Sequence, residues 1–459
     1  MISDRFPLIT EEGHRLLRQL EEHPHAPRYT HPGYNRLTAE GLRRAKAFAA
    51  ELRASPPLWR HGEVPAWLPE FVAWCYREAP FYRRYGPPPA TLFPRDASRS
   101  EVEGFFDIPT TSRADLHREP WAFVPDSQPL DDLIIYNTSG TTGHPLDILT
   151  HPDSLALYIP LLQSALAMRG LTLDGGPGRV AMVLVCFQKR TYTYAAVSAV
   201  LDQAGFVKIN LNPDDWRGPG DRARFLDDLA AEVFTGDPLA FAELARLPLH
   251  TRPKALVSTA MTLLPGLEQS LEARFGCPIL DMYSMNESGP IASAEPEGRV
   301  YRLLQPRLYV EILDPEGAPC PPGVRGEITL SGGFNPFLPL LRYRTGDFAG
   351  LEFRGAQPLL VGLEGRPPVT FRTADGRPVN NVDISIALRP FPIAQYALHQ
   401  SADSALHLKV HAAGVDQTPI REALLALFGA DQVLNMQEVE SWERPEGKVI
   451  QYTSDLSDG

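Results

Sequence analysis

Tyr136 to Pro145 reads YNTSGTTGHP, a run of small hydroxyl and glycine residues set directly after the apolar DDLIIY. Backbone unobstructed by side chains, together with several O–H donors, wraps a polyanion, and phosphate is the commonest one. A strand-to-strand turn uses the same residue types, so the stretch alone admits both readings. It is not the lysine-bearing loop of the P-loop nucleotidases, because Gly143 is followed by His144 and Pro145.

Three later stretches carry chemistry of their own. In DMYSMNESG (Asp281–Gly289), Tyr283 precedes Glu287 by four residues. At a strand end this supplies a ring face for a flat base and a carboxylate for Mg²⁺, or else a core tyrosine and a solvated acid. In LLRYRTGDFAG (Leu340–Gly350), the turn Arg344-Thr345-Gly346-Asp347 places a carboxylate that accepts from vicinal hydroxyls such as those of a ribose, or forms a plain Asx turn. In RPEGKVIQY, Lys448 follows a glycine and by itself reads as an exposed lysine. Lysine occurs only at Lys46, Lys189, Lys208, Lys254, Lys409 and Lys448, so one in a glycine-containing loop carries more weight than usual.

These stretches need elements to hold them. ITEEGHRLLRQLEEH, LTAEGLRRAKAFAAELRA and LPEFVAWCYREAPFYRRY return apolar residues at three- and four-residue spacing, which predicts helices. From about Leu133 to Thr259, strand-like pieces (RVAMVLVCF, FVKINLN, AEVFTG, ALVST) alternate with helix-like ones. The helix-like pieces are SLALYIPLLQSALAMRG, TYAAVSAVLDQAG, DRARFLDDLA and DPLAFAELARL. That alternation predicts a largely parallel sheet covered by helices. After Leu280 short strands and frequent turns predict antiparallel or barrel-like structure. A Gly/Pro-rich break at VGLEGRPP (Val361–Pro368) divides the chain into 1–364 and 365–459.

Bulk properties narrow the function classes. With 459 residues the chain exceeds one compact core, and 43% hydrophobic against 22% charged residues is ordinary for a globular protein. A formal charge of −12 speaks against a nucleic-acid binder. No apolar run reaches the length of a membrane span, and the start carries acids where a signal peptide is basic, so the expected location is cytoplasmic. The four cysteines are scattered, with no C-x-x-C pair to build a disulfide framework or a zinc site.

Taken in order, TSGTTGHP, MYSMNESG, YRTGD, Gly365-Arg366 at the break and the late Gly447-Lys448 resemble the signature of the adenylate-forming enzymes, the superfamily of acyl-CoA synthetases, adenylation domains and luciferases. LPEFVAWCYREAPFYRRY and FFDIPTTSRADL resemble lead-ins of its phenylacetate–CoA ligase-like branch. The resemblance implies an α/β fold: a large domain of layered, helix-covered β-sheets with a barrel-like part, and a small mobile C-terminal α+β domain. It implies ATP-dependent activation of a carboxylic acid, aromatic or otherwise compact, as an acyl-adenylate, with Mg²⁺ and release of pyrophosphate. Transfer to CoA follows, or alternatively to a carrier-protein thiol or an amine; a catalytically inactive nucleotide-binding relative is the other alternative. A homodimer is compatible with the branch.

By matching motif, Thr138, Ser139, Gly140, Thr141, Thr142 and Gly143 would wrap the β- and γ-phosphates. Tyr283 would stack on adenine, Glu287 would hold Mg²⁺, and Asp347 would bind the ribose with Arg366 beside it. Lys448 would bridge the attacking carboxylate and the α-phosphate. Asn286 stands where relatives have threonine, and its amide still donates to phosphate. Ser258 to Thr262 replaces a Gly-Gly-Glu-like segment, and Pro367-Pro368 follows Arg366 where relatives carry acids. A glycine-rich gate of the branch is replaced by CFQKRTYTYAAV, in which Lys189 and Arg190 beside Tyr192 and Tyr194 either hold an anionic or aromatic acyl group or form an exposed basic pair before a helix start. Candidate pocket residues are Phe187, Tyr192, Tyr194, Ala260 and Met285.

Overall fold

The computed structural model describes residues 2–88, 104–138, 146–188, 191–296, 299–365, 370–388, 390–393, 395–411, 414–439 and 452–456. The expected N-terminal helices span Glu11–Glu21, Ala39–Ala54 and Leu68–Glu78. Thr10 and Thr38 cap the first two by accepting from the Gly13 and Gly41 amides, which satisfies donors that a helix start leaves unpaired. The first helix turns Leu16, Leu17 and Leu20 into the core.

Strand β1 (Thr111–Ser112) opens the sheeted part, followed by a hairpin of β2 (Ile134–Thr138) and β3 (Leu146–Thr150). Next come β4 (Val180–Cys186), β5 (Tyr194–Ser198), β6 (Ala204–Asn210), β7 (Val233–Gly236), β8 (Ala255–Ser258) and β9 (Ile279–Met285). The run β10 (Gly289–Ala294), β11 (Val300–Leu303), β12 (Leu308–Leu313), β13 (Gly326–Gly332), β14 (Leu340–Arg354) and β15 (Gln357–Gly365) completes a 13-stranded sheet. Its order is β12-β13-β14-β15-β11-β10-β9-β8-β7-β4-β6-β5, with β1 parallel to β14. Strands β6, β4, β7, β8 and β9 are mutually parallel, whereas every pairing from β9 through β10 to β12 is antiparallel. The parallel and antiparallel textures read from the sequence therefore meet in one strand, β9, which carries Tyr283.

One piece departs from the expectation. TYAAVSAVLDQAG, read as helix, forms β5 antiparallel to β6, and the chain reverses through Asp202 and Gln203 at φ 52° and 66°. A short apolar run has the same composition in a buried strand and in a helix, and here pairing with the edge of β6 decides it.

Separate cores serve the parts. Val183, Val185, Val207, Ile209, Phe234 and Phe241 fill one side of the parallel half, and Leu161, Leu162, Met182 and Val257 fill the other. The antiparallel half packs around Val72, Phe105, Ile148, Leu330 and Tyr343. Beyond β15, strands β16 (Thr370–Arg372) and β17 (Pro378–Asn380) form a hairpin. Strands β18 (Gln395–Gln400), β19 (Leu406–His411), β20 (Leu434–Glu438) and β21 (Tyr452–Ser454) then make a four-stranded sheet ordered β20-β19-β18-β21. Helices Asn381–Leu388 and Thr418–Phe428 complete this α+β unit around Phe371, Tyr396, Leu408 and Phe428. Leu264 of the large part joins that core, and a Cβ on Gly266 would collide with the Phe391 carbonyl, so glycine permits the close approach there. The protein thus has the two-part α/β architecture expected. Among the described residues no helix is long and apolar enough to cross a membrane.

Candidate active site

Parallel strands deliver their C-terminal ends to one side of a sheet, and ligand clefts of open α/β sheets lie there. Strand β9 ends in Tyr283-Ser284-Met285, followed by the exposed Asn286 and the buried Glu287. Strand β14 passes nearby and brings Tyr343 and Asp347. Tyr283 Oη donates to Asp347 Oδ2 at 2.9 Å, joining two motifs 64 residues apart in sequence. Burial, reinforced by the Asp347 carboxylate, pushes the Tyr283 phenol far above its ordinary range, so it remains a donor at neutral pH. Met285 Sδ lies 3.6 Å from the same hydroxyl.

Asp347 is held by its turn. Its amide donates to Thr345 Oγ1 at 3.1 Å, Thr345 Oγ1 donates to the Ile328 carbonyl, and the Gly346 amide donates to Glu327 Oε1. Gly346 has φ 75°, a left-handed conformation that glycine adopts without penalty. Arg344 closes the turn through an ion pair with Glu327 at 2.5 Å.

Glu287 is 3% exposed and receives two donors on one oxygen, Oε1: Arg113 Nη1 at 3.1 Å and Tyr343 Oη at 3.2 Å. Arg113 is aimed by local structure. Ser112 and Asp115 form a capping box that starts helix Arg113–Arg118, and β1 pairs Thr111 with Tyr343. Arg342, buried and at φ 44°, donates to the carbonyls of Phe106 and Ile108 and pairs with Glu311 at 3.1 Å, which binds this segment to β14. Two donors on Oε1 leave Oε2 with no hydrogen-bond partner among the described residues. One carboxylate suits Mg²⁺ in a nucleotide site, because that ion takes one or two protein carboxylates and completes its shell with phosphate oxygens and water. No cluster of three or more candidate ligands, the alternative all-protein cage, exists among the described residues.

Aromatic residues extend the site toward the parallel half. Tyr136 on β2 is pushed up to about 12, mainly by burial, with Tyr192 next in effect. The Tyr158 phenol is raised further by burial, then by Tyr136 and Glu287, so it lies within electrostatic reach of both. Tyr192 and Tyr194 stack, with ring centroids 6.1 Å apart and planes inclined by 8°. Lys208 Nζ rests 3.5 Å from the Tyr192 ring centroid. Thr30 and His31 donate their amides to the Thr193 carbonyl, which ties the N-terminal segment to this loop.

Of the candidate residues, Tyr283, Met285, Glu287 and Asp347 come together, and Tyr192 and Tyr194 form a second group beside them. Asn286 follows on an exposed turn. Phe187 packs against the core that holds Val183 and Val185, as Tyr194 also does. Ala260 is exposed and has φ 71°, with the Met261 amide bonded to the Thr259 carbonyl around it. This is a tight, strained γ-turn. Thr138 ends β2 opposite Leu146 of β3. Ser139, Gly140, Thr141, Thr142, Gly143, Lys189, Arg190, Arg366 and Lys448 lie outside the described residues. Arg113 and Tyr343, which hold Glu287, and Tyr136, Tyr158 and Lys208 in the aromatic group were passed over by motif reading, though Arg113, Tyr136 and Tyr343 sit inside or beside stretches singled out for other reasons.

The sequence profile of the family described as AMP-binding enzyme matches residues 100–335, more than half of the chain. The chain belongs to the AMP-binding enzyme family. The profile covers the Tyr283 and Glu287 motif and ends before Asp347, which the structure brings to it. This AMP-binding enzyme is 24% identical over 307 residues to a phenylacetate–coenzyme A ligase of Thermus thermophilus, a match spanning 62% of this chain and 64% of that relative. Its fold is similar to a solved structure of 2-hydroxyisobutyryl-CoA ligase in the postadenylation state with R3-HIB-AMP, at TM-score 0.59 and 19% identity, covering 93% of this chain and 91% of the other. A complex of the same ligase with 2-HIB-AMP gives TM-score 0.58 at the same identity and coverage.

Proposed function

We propose that this AMP-binding enzyme joins a carboxylic acid to ATP and passes the acyl group to the thiol of CoA. A carboxylate oxygen forms a bond to the α-phosphorus as the bond to pyrophosphate breaks; the thiolate sulfur then bonds to the acyl carbon and AMP leaves. The observation that carries the reading is the convergence of Tyr283, Asp347 and Glu287 at the end of β9, through a 2.9 Å hydrogen bond and a buried carboxylate. The difficulty of the first step is electrostatic, since two anions must meet while charge builds on the leaving group.

In this reading Tyr283 offers its ring to adenine and orients Asp347, which takes the ribose hydroxyls. Glu287 would hold Mg²⁺, which when bound would neutralise phosphate charge, while Arg113 and Tyr343 fix the carboxylate through Oε1. The 138–143 segment wraps the outer phosphates, with Asn286 donating to phosphate nearby, and Arg366 stands beside the ribose. Lys448 is delivered from a small domain, 365–459, onto a large one, 1–364, and bridges the carboxylate and the α-phosphate. Tyr136, Tyr158, Tyr192 and Tyr194 wall the acyl pocket, which favours an aromatic or otherwise compact acid. The partial match to a phenylacetate–coenzyme A ligase supports membership of that branch and CoA as acceptor. Acid-dependent exchange of labelled pyrophosphate into ATP tests the first step, and CoA-dependent release of AMP tests the second. Folded protein that exchanges with no acid in a broad panel would remove the proposal.

A further inference from the structure

Strand alternation puts Lys208 on the face of β6 opposite Val207 and Ile209, which enter the core. Lys208 is 9% exposed in the interior of a sheet. Taking an ammonium out of water costs several kcal/mol, so buried lysines are normally paired with an acid. This chain follows that rule elsewhere: Lys254 pairs with Asp174 and Glu232, Arg222 with Glu243, and Arg342 with Glu311. Lys208 has no carboxylate within 4.0 Å among the described residues, and its recorded contact is the face of Tyr192. A cation–π contact offsets only part of that cost.

The neighbourhood shows where a compensating anion would come from. Tyr194 lies opposite Lys208 on β5, Tyr192 is 43% exposed, and Tyr136 stands within electrostatic reach of Tyr192. Tyr158 continues the series to Glu287. A series of tyrosines thus leads from the lysine toward Glu287.

Building on the adenylation reading, we propose that Lys208 is a specificity residue that receives a second carboxylate on the substrate, so that compact diacids are preferred over the matching monoacids. One carboxylate is activated, and the other pairs with the Lys208 ammonium against Tyr192.

The test compares benzoate with isophthalate and terephthalate, and butyrate with succinate and glutarate, in pyrophosphate exchange by the full chain. In the wild type, kcat/KM for at least one diacid is expected to exceed that of its monoacid by about 10-fold or more, the worth of a charge-assisted bond. Lys208→Met lowers this ratio by about 10- to 100-fold, chiefly through KM, and Lys208→Arg retains more of it than Met does. Monoacids preferred throughout, or a Lys208→Met ratio within about 2-fold of wild type, overturns the proposal. Thermal stabilisation of the wild type by the same acids with ATP reads binding independently of turnover and of whether the Met variant folds. There, no diacid stabilising more than its monoacid overturns it. Greater stabilisation by a diacid without exchange by any acid upholds the Lys208 site and sinks the adenylation reading instead.

Discussion

Replacing Tyr283 by Phe removes one hydroxyl and leaves the ring in place. That hydroxyl donates to Asp347 Oδ2 at 2.9 Å, and burial keeps it protonated. Because the acceptor is a carboxylate, the bond stabilises the pair by about 1.5–3 kcal/mol. In the Phe variant Asp347 keeps its carboxylate but loses the phenol that orients it. ATP affinity then falls by part of that sum, about 3- to 10-fold. Asp347→Ala deletes the proposed ribose acceptor and costs about 1–3 kcal/mol, roughly 5- to 150-fold. Since the two groups share a bond, the double variant is impaired by less than the product of the single effects, with a coupling of at least about 0.5 kcal/mol. Tyr283→Ala also removes the stacking face and loses about 1–3 kcal/mol more. Titration calorimetry with ATP measures all four proteins against wild type. Additivity within about 0.3 kcal/mol, together with a Tyr283→Phe affinity equal to wild type, refutes the reasoning.

Glu287→Gln keeps the size of the side chain and an acceptor for Arg113 and Tyr343 but loses the charge; exchange activity falls at least about 100-fold at saturating Mg²⁺, and a drop under about 10-fold removes the metal role. Lys448→Ala lowers adenylation by about 100-fold or more in single-turnover assays, and an unchanged rate shows that this lysine does not bridge the reacting groups. Burial raises the Asp281 carboxyl to about 7, while Tyr301 donates to it at 2.6 Å. Its unfolded value is about 3.9, so the folded state holds the extra proton between the two: this contribution is fully present below about pH 4 and is lost as pH rises through about 7. Urea unfolding should therefore show stability falling by up to about 4 kcal/mol across that window from this group, and Asp281→Asn should flatten the slope. An unaltered slope in the variant assigns the dependence elsewhere.

Much of the scaffold was legible because its signals are local. The leucines at 16, 17 and 20 and the threonines at 10 and 38 mark helices by spacing and by caps, and both features act within one or two turns. The shift from alternating strand and helix to dense short strands located the antiparallel half. TYAAVSAVLDQAG was misread because its periodicity does not separate a short strand from a helix, and the deciding partner, β6, is reached through two left-handed residues.

The order of the motifs, and with it the family, is written in the chain, since a glycine-hydroxyl run, a Tyr-x-x-x-Glu step and an Arg-Thr-Gly-Asp turn each depend on adjacent residues alone. Which groups touch is a matter of tertiary packing. Tyr283 meets Asp347 because β9 and β14 lie in one sheet, Arg113 meets Glu287 because β1 aligns with β14, and Lys208 has no acid among the described residues because β6 buries it beside tyrosines. Hydrogen bonds and charge pairs act over a few ångströms of space, whereas the partners here stand 64 and 174 residues apart along the chain.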